Sequence, residues 1–130
     1  MQTPGLSHVI LTVSDFDRSR KFYGDLLGFP LQDVNYESDT MSISFFFALG
    51  GLTIWFVKHK ATPANDRFSE TRIGLDHLAF KATNEAELKA MADKLIAAGV
   101  NTKGMETFPT GNKYMAFRDP DNIQLEYWMD

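Results

Sequence analysis

Apolar and polar residues alternate along this chain in two rhythms, and the same succession occurs twice. The run Leu6-Ser7-His8-Val9-Ile10 and its match Leu75-Asp76-His77-Leu78-Ala79 predict a short strand at the head of each half. A helical spacing follows in both. Ser14, Asp15 and Asp17 start the first helix and Thr83-Asn84-Glu85 the second, because side-chain oxygens there accept the free N–H groups of a first turn. Leu27-Gly28 and Ala98-Gly99 end them, glycine taking the left-handed residue beyond the last turn. Gly28 lies 20 residues past His8, and Gly99 lies 22 past His77. Three strand-like runs follow each stop: Phe29 to about Asn35, Ser42 to Leu49 and Leu52 to Lys58, then Val100 to Lys103, Lys113 to Arg118 and Ile123 to Trp128. Gly50-Gly51 and Asp121-Asn122 fall where hairpin turns need positive φ. The predicted fold class is α+β, with two tandem βαβββ modules spanning about 5–58 and 75–130.

Between the modules, about 59–74 is polar and holds Pro63, as expected of a linker. Gly104 to Asn112 is a second irregular stretch, read as an exposed connection or as a loop that contributes specificity contacts. A chain of 130 residues suffices for one domain, burying roughly 65–70% of its extended surface, and eleven phenylalanines can fill the core. The net charge of −4, with cations scattered along the chain, argues against nucleic-acid or membrane-surface partners, which need clustered positive charge. Having no cysteine excludes disulfides, thiolate metal sites and a cysteine nucleophile. No charged-then-apolar leader opens the sequence and no run is long enough to cross a bilayer, so a cytoplasmic location is expected.

The repeat gives the chemistry its frame. His8 shares a strand face with Ile10 and Thr12, and His77 shares one with Ala79 and Lys81. In the last strand of each module the matched positions are Trp55 and Glu126. Three of these four inward positions carry metal-capable groups: His8, His77 and Glu126. Two neutral imidazoles and a carboxylate can hold a first-row divalent ion and leave coordination positions open. The plainer reading makes each histidine a packing residue and Glu126 a solvent-facing charge, with Trp55 as a wall. Equivalence between the halves favours the ligand reading. His59, between two lysines, reads as solvated.

The motifs Leu6-Ser7-His8-Val9, Val13-Ser14-Asp15, Phe22-Tyr23-Gly24-Asp25-Leu26-Leu27-Gly28-Phe29, Asp76-His77-Leu78-Ala79-Phe80 and Phe117 to Glu126 resemble the vicinal oxygen chelate superfamily over essentially the whole chain. That group includes glyoxalases, extradiol dioxygenases, fosfomycin-modifying thiol transferases and bleomycin-resistance binding proteins. The resemblance implies a curved mixed-sheet cup, metal roles for His8, His77 and Glu126, and a divalent ion such as Fe, Mn, Ni, Co or Zn. It also implies a small-molecule substrate and a homodimer in which modules from two chains meet. Trp55 departs from the glyoxalase pattern, which has a fourth ligand there. Asn122 stands where the usual turn has glycine, and Ile10 stands where fosfomycin enzymes carry a threonine.

The activity expected is metal-dependent chelation of vicinal substrate oxygens by a glyoxalase- or dioxygenase-like enzyme. The alternatives are a fosfomycin-type thiol transferase and a non-catalytic binder of the bleomycin-resistance type. Glu126 and Tyr114 are the candidate catalytic residues, with Lys113 and Tyr127 as further proton-transfer candidates. Trp55, Ile10, Phe47 and Arg118 are the candidate substrate contacts. A cup filled by its own side chains, from Phe45, Phe47 and Trp55, would make the chain a degenerate module instead.

Overall fold

The structure, a computed structural model, describes residues 1–130 and separates into two compact units, Met1–Asp66 and Arg67–Asp130. Its class is α+β, with a four-stranded mixed sheet in each unit. No helix is long and apolar enough to cross a membrane.

In the first unit, β1 (His8–Thr12) leads to α1 (Phe16–Arg20), and the helix continues as π-helical turns over Lys21–Leu26. Then come β2 (Gln32–Glu37), β3 (Met41–Leu49) and β4 (Leu52–His59). The sheet order is β1-β4-β3-β2, with β1 parallel to β4 and the other pairs antiparallel. Asp15 caps α1, its Oδ1 accepting from Arg18 N at 3.0 Å, and Gly28 ends the helical segment at φ +82°. The π register is marked by Leu27 N donating to Phe22 O at 2.9 Å. Its wider turn lowers the angular step per residue, so the consecutive side chains Phe22 and Tyr23 are both buried. Gly24 belongs to this segment because a Cβ there would lie 2.8 Å from Leu31 Cδ1.

Aromatic rings make the core of this unit. Phe45 stacks on Phe56 at 4.4 Å, Tyr23 lies 4.6 Å from Phe56, and Phe29 stacks on Phe47 at 4.2 Å. Phe29 thus belongs to the core approach, and the second strand begins at Gln32 instead. The β3–β4 register shifts between Ile43 and Phe45, leaving Ser44 as a bulge. Arg20 holds that bulge: Nη2 donates to Ser44 O (3.0 Å) and Ser44 Oγ (2.9 Å), and Nη1 donates to Asp33 Oδ1 (2.7 Å).

The second unit repeats the plan. β5 (Leu78–Lys81), α2 (Glu85–Ala97), β6 (Glu106–Thr107), β7 (Lys113–Arg118) and β8 (Gln124–Trp128) build a sheet of order β5-β8-β7-β6, the same sequence of strand roles as β1-β4-β3-β2. Asn84 caps α2 through Glu87 N at 2.9 Å, and Gly99 has φ +75°. One expectation is corrected here: Val100 to Lys103 is not a strand. Thr102 makes a single bridge to Phe117, its Oγ1 donating to Ala116 O and accepting from Gly104 N, and Gly104 at φ +77° then turns the chain away. Pairing resumes at Glu106–Thr107, inside the stretch expected to be irregular.

The turn before β8 is built on Asp119, whose Oδ1 accepts from both Asp121 N and Ile123 N at 2.8 Å. Asn122 takes the left-handed conformation at φ +69°. It contributes more than tolerance of that conformation, since its Nδ2 donates to Phe68 O at 3.0 Å and Phe68 N donates to Asp121 O at 3.0 Å. The chain from Phe68 is thereby laced onto the β7–β8 turn.

Candidate functional site

Ladder register decides which side chains share a face, because directly paired residues point the same way. In the first unit Ile10 pairs with Trp55, and Trp55 with Phe46. In the second, Ala79 pairs with Glu126, and Glu126 with Ala116. Ile10 stands two residues beyond His8 and Ala79 two beyond His77, so positions 55 and 126 are equivalent by register as well as by sequence offset.

The open face of the first unit carries His8, Ile10, Trp55 and Phe46. Trp55 stacks on Phe46 at 4.2 Å and donates from Nε1 to Thr53 Oγ1 at 2.7 Å, and Ile10 is 46% exposed. His8 Nδ1 lies 3.1 Å from Ser7 Oγ, a hydrogen bond in which the hydroxyl can take either role. Phe47 requires a correction. It is fully buried on the opposite face against Phe29, so Phe46 takes the wall position assigned to it.

In the second unit the structure brings two predicted ligands together. His77 Nε2 lies 3.3 Å from Glu126 Oε2. His77 Nδ1 donates to Asp76 Oδ1 at 2.6 Å, since a carboxylate can only accept, which leaves Nε2 as the nitrogen that faces Glu126. A cation between them, either a proton on Nε2 or a bound ion, accounts for this approach. Two donors each about 2.1 Å from one ion stand roughly 3.0–3.4 Å apart between octahedral and tetrahedral angles, so the donor pair fits a divalent metal. Glu126 is flanked across both ladders by alanines and its side chain is only 12% exposed. Neither unit alone gathers three such ligands.

Tyr114 is on the Glu126 face, two positions from Ala116 on β7. Burial pushes its phenol up, and the neighbouring Glu106 and Glu126 carboxylates add to the shift, which keeps it protonated as a donor. It forms an aromatic cluster with Trp128 (5.6 Å) and Phe108 (6.1 Å). Tyr127 faces the other way, stacking on Phe117 at 5.4 Å, and burial pushes it up to about 12. Its ring packs on the face of β8 opposite Glu126, which takes it away from proton transfer at that carboxylate. Lys113 donates to Thr107 Oγ1 in the hairpin, and His59 is exposed.

Arg118 shares the Glu126 face by alternation, but its guanidinium is engaged. Nη1 and Nη2 donate to the two Glu70 oxygens at 2.8 and 2.7 Å, and Nη1 also reaches Asn122 O at 3.3 Å. These hydrogen bonds hold the Glu70 carboxyl well below its ordinary value of 4.5, at about 2. Because folding lowers this pKa, the pair stabilises the fold fully above about pH 4.5 and its contribution disappears as pH falls through 2. Glu70→Gln should melt below the wild type near neutrality, and the gap should close across that window. A gap that stays constant down to pH 2 in matched thermal melts would reject the assignment.

Four contributors were not singled out from the sequence: Ser7, Asp76, Phe46 and Glu70. The signal for the first two was present, since each precedes a repeated histidine and bears a hydrogen-bonding oxygen.

Two sheets of matching order, each with a histidine at or just before its first strand, define a duplicated βαβββ protein. Residues 5–127 match the Glyoxalase/Bleomycin resistance protein/Dioxygenase superfamily model, and the chain belongs to that family. It is 35% identical to a glyoxylase/bleomycin resistance protein/dioxygenase domain from Frankia sp. EAN1pec, with 98% of each chain covered and a TM-score of 0.83. It is 34% identical to the Metallothiol transferase FosB of Staphylococcus haemolyticus (strain JCSC1435), covering 94% of this chain and 81% of that protein. It is also 27% identical to the Bacillus subtilis (strain 168) protein YwkD, with 98% of each covered.

Proposed function

We propose that this protein is a divalent-metal-dependent enzyme acting on a small molecule that bears two neighbouring oxygens. His77 and Glu126 supply two ligands and His8 the third, from the same chain or from a second copy in a symmetric dimer. The observation that carries this reading is the His77 Nε2–Glu126 Oε2 approach of 3.3 Å, with Nδ1 already committed to Asp76. An ion bound there would stabilise negative charge developing on substrate oxygens. The protein's own contributions are distinct. Ile10, Trp55 and Phe46 offer an apolar wall that excludes water and seats the substrate's hydrocarbon part, and Tyr114, kept protonated, is the candidate donor to a substrate oxygen. Relatives named metallothiol transferases, 30–34% identical over at least 94% of this chain in two of them, support a metal-assisted chemistry.

A second reading has its own support. The Phe46–Trp55 stack beside exposed Ile10 would hold a flat apolar ligand without any metal, as a sequestering protein requires. Equilibrium dialysis against Fe(II), Mn, Ni, Co and Zn followed by elemental analysis separates the two. About one ion per chain, lost in His8→Ala, is expected for the enzyme. No uptake of any of the five would favour the binder.

A further inference from the structure

Each repeated histidine is preceded by a side chain that reaches its Nδ1, but the two partners differ in kind. Ser7 offers His8 a hydroxyl at 3.1 Å, which both donates and accepts and so is compatible with either ring tautomer. Asp76 offers His77 a carboxylate at 2.6 Å, which only accepts, and requires the proton on Nδ1. Free histidine in water prefers its proton on Nε2, so this contact selects the less common tautomer. Arg118, held bidentately by Glu70, has its pKa raised chiefly by that hydrogen bond and to the least extent by the charge of Asp76.

From this geometry we infer that Asp76 is a positioning residue for the metal site: it holds the proton on His77 Nδ1 and fixes the ring, so that Nε2 is the nitrogen left to bind an ion beside Glu126. This rests on the metal reading above. The surface position of Asp76, 62% exposed, gives it no packing role that would preserve it otherwise. A carboxylate behind a ligating histidine typically accounts for about 10–100-fold in metal affinity. The difference between Ser7 and Asp76 makes the two halves of the repeat unequal, with the second as the anchor.

Two measurements on the full-length chain test it. The first reads the tautomer without metal: long-range ¹H–¹⁵N correlation spectra of the histidine rings at roughly pH 8, where a free imidazole is neutral. His77 should show a protonated Nδ1 in the wild type and in Asp76→Asn, whose amide oxygen still accepts, and should move toward Nε2–H in Asp76→Ala. The second is Co(II) affinity by titration of visible absorption, expected to fall about 10–100-fold in Asp76→Ala and by less in Asp76→Asn, with melting temperatures unchanged. Wild-type protein that binds no Co(II) overturns the metal reading itself. Wild-type protein that binds while Asp76→Ala binds equally well, or an unaltered His77 tautomer in Asp76→Ala, overturns the role of Asp76 and leaves the metal reading standing.

Discussion

Glu126→Ala should abolish divalent-ion binding while leaving the metal-free protein about as stable as the wild type. The carboxylate has given up most of its water between Ala79 and Ala116, and its close polar partner is the His77 Nε2 nitrogen 3.3 Å away. A largely desolvated carboxylate with one polar partner at 3.3 Å recovers little of its lost hydration, so removing it costs the metal-free fold little. The same removal takes away the one anionic ligand of the proposed set. Affinity should fall by more than the roughly 100-fold upper range typical of losing a partner behind a ligand, because the ligand itself is gone. Glu126→Gln keeps the shape and one oxygen but drops the charge, and should retain a weak fraction of binding. Calorimetric titration with Zn or Co(II), paired with thermal melts in chelator, reads both arms. If Glu126→Ala destabilises the metal-free protein by more than about 2 kcal/mol, the residue is a structural hydrogen-bonding group and not a ligand in waiting.

The duplicated plan was legible because its punctuation is local. Asp15 and Asn84 cap the two helices, and Gly28 and Gly99 end them at positive φ, since these devices depend on a few neighbouring atoms. What escaped the sequence depends on partners distant along the chain. Val100 to Lys103 has the composition of a strand, but Thr102 spends its hydroxyl on Ala116 O and Gly104 redirects the chain, so the ladder forms at Glu106–Thr107 instead. The π turns over Lys21–Leu26 keep the apolar spacing of an α-helix, which hides them from a periodicity argument. Phe47, expected as a substrate contact, lies in the core instead, because alternation within β3 fixes only relative parity. The absolute assignment comes from the register of Phe46 against Trp55 and from the bulge at Ser44, and neither is visible until β4 is in place. In the site, the equivalence of positions 55 and 126 followed from counting alone and reappears in the strand register. Asp76 escapes a count of ligating residues because it orients an imidazole and supplies no ligand itself.

Face assignment in the first unit leads to the largest expected effect on stability. Phe56 and Trp55 are adjacent and both aromatic, so composition gives no reason to expect them to behave differently. Phe56 is fully buried, with Phe45 stacked at 4.4 Å, Tyr23 at 4.6 Å and Phe47 at 6.1 Å. Truncation there removes the ring around which the other three pack, and Phe56→Ala should cost about 3–5 kcal/mol, the usual range for a large-to-small change in a filled core. For a chain of this size that corresponds to a fall in Tm on the order of 10–20 °C. Phe56→Leu keeps most of the volume and should fold with a loss below about 2 kcal/mol, which keeps the comparison readable if the alanine variant fails to fold. Trp55 lies on the open face, where it keeps one stacking partner, Phe46, and a hydrogen bond to Thr53. Trp55→Ala should therefore cost less than about 2 kcal/mol while weakening whatever ligand the apolar wall holds. Urea unfolding of the three variants ranks them directly. A larger loss from Trp55→Ala than from Phe56→Ala would mean that the faces of β4 are reversed, and the wall of the candidate site would then have to be reassigned to Ile54 and Phe56.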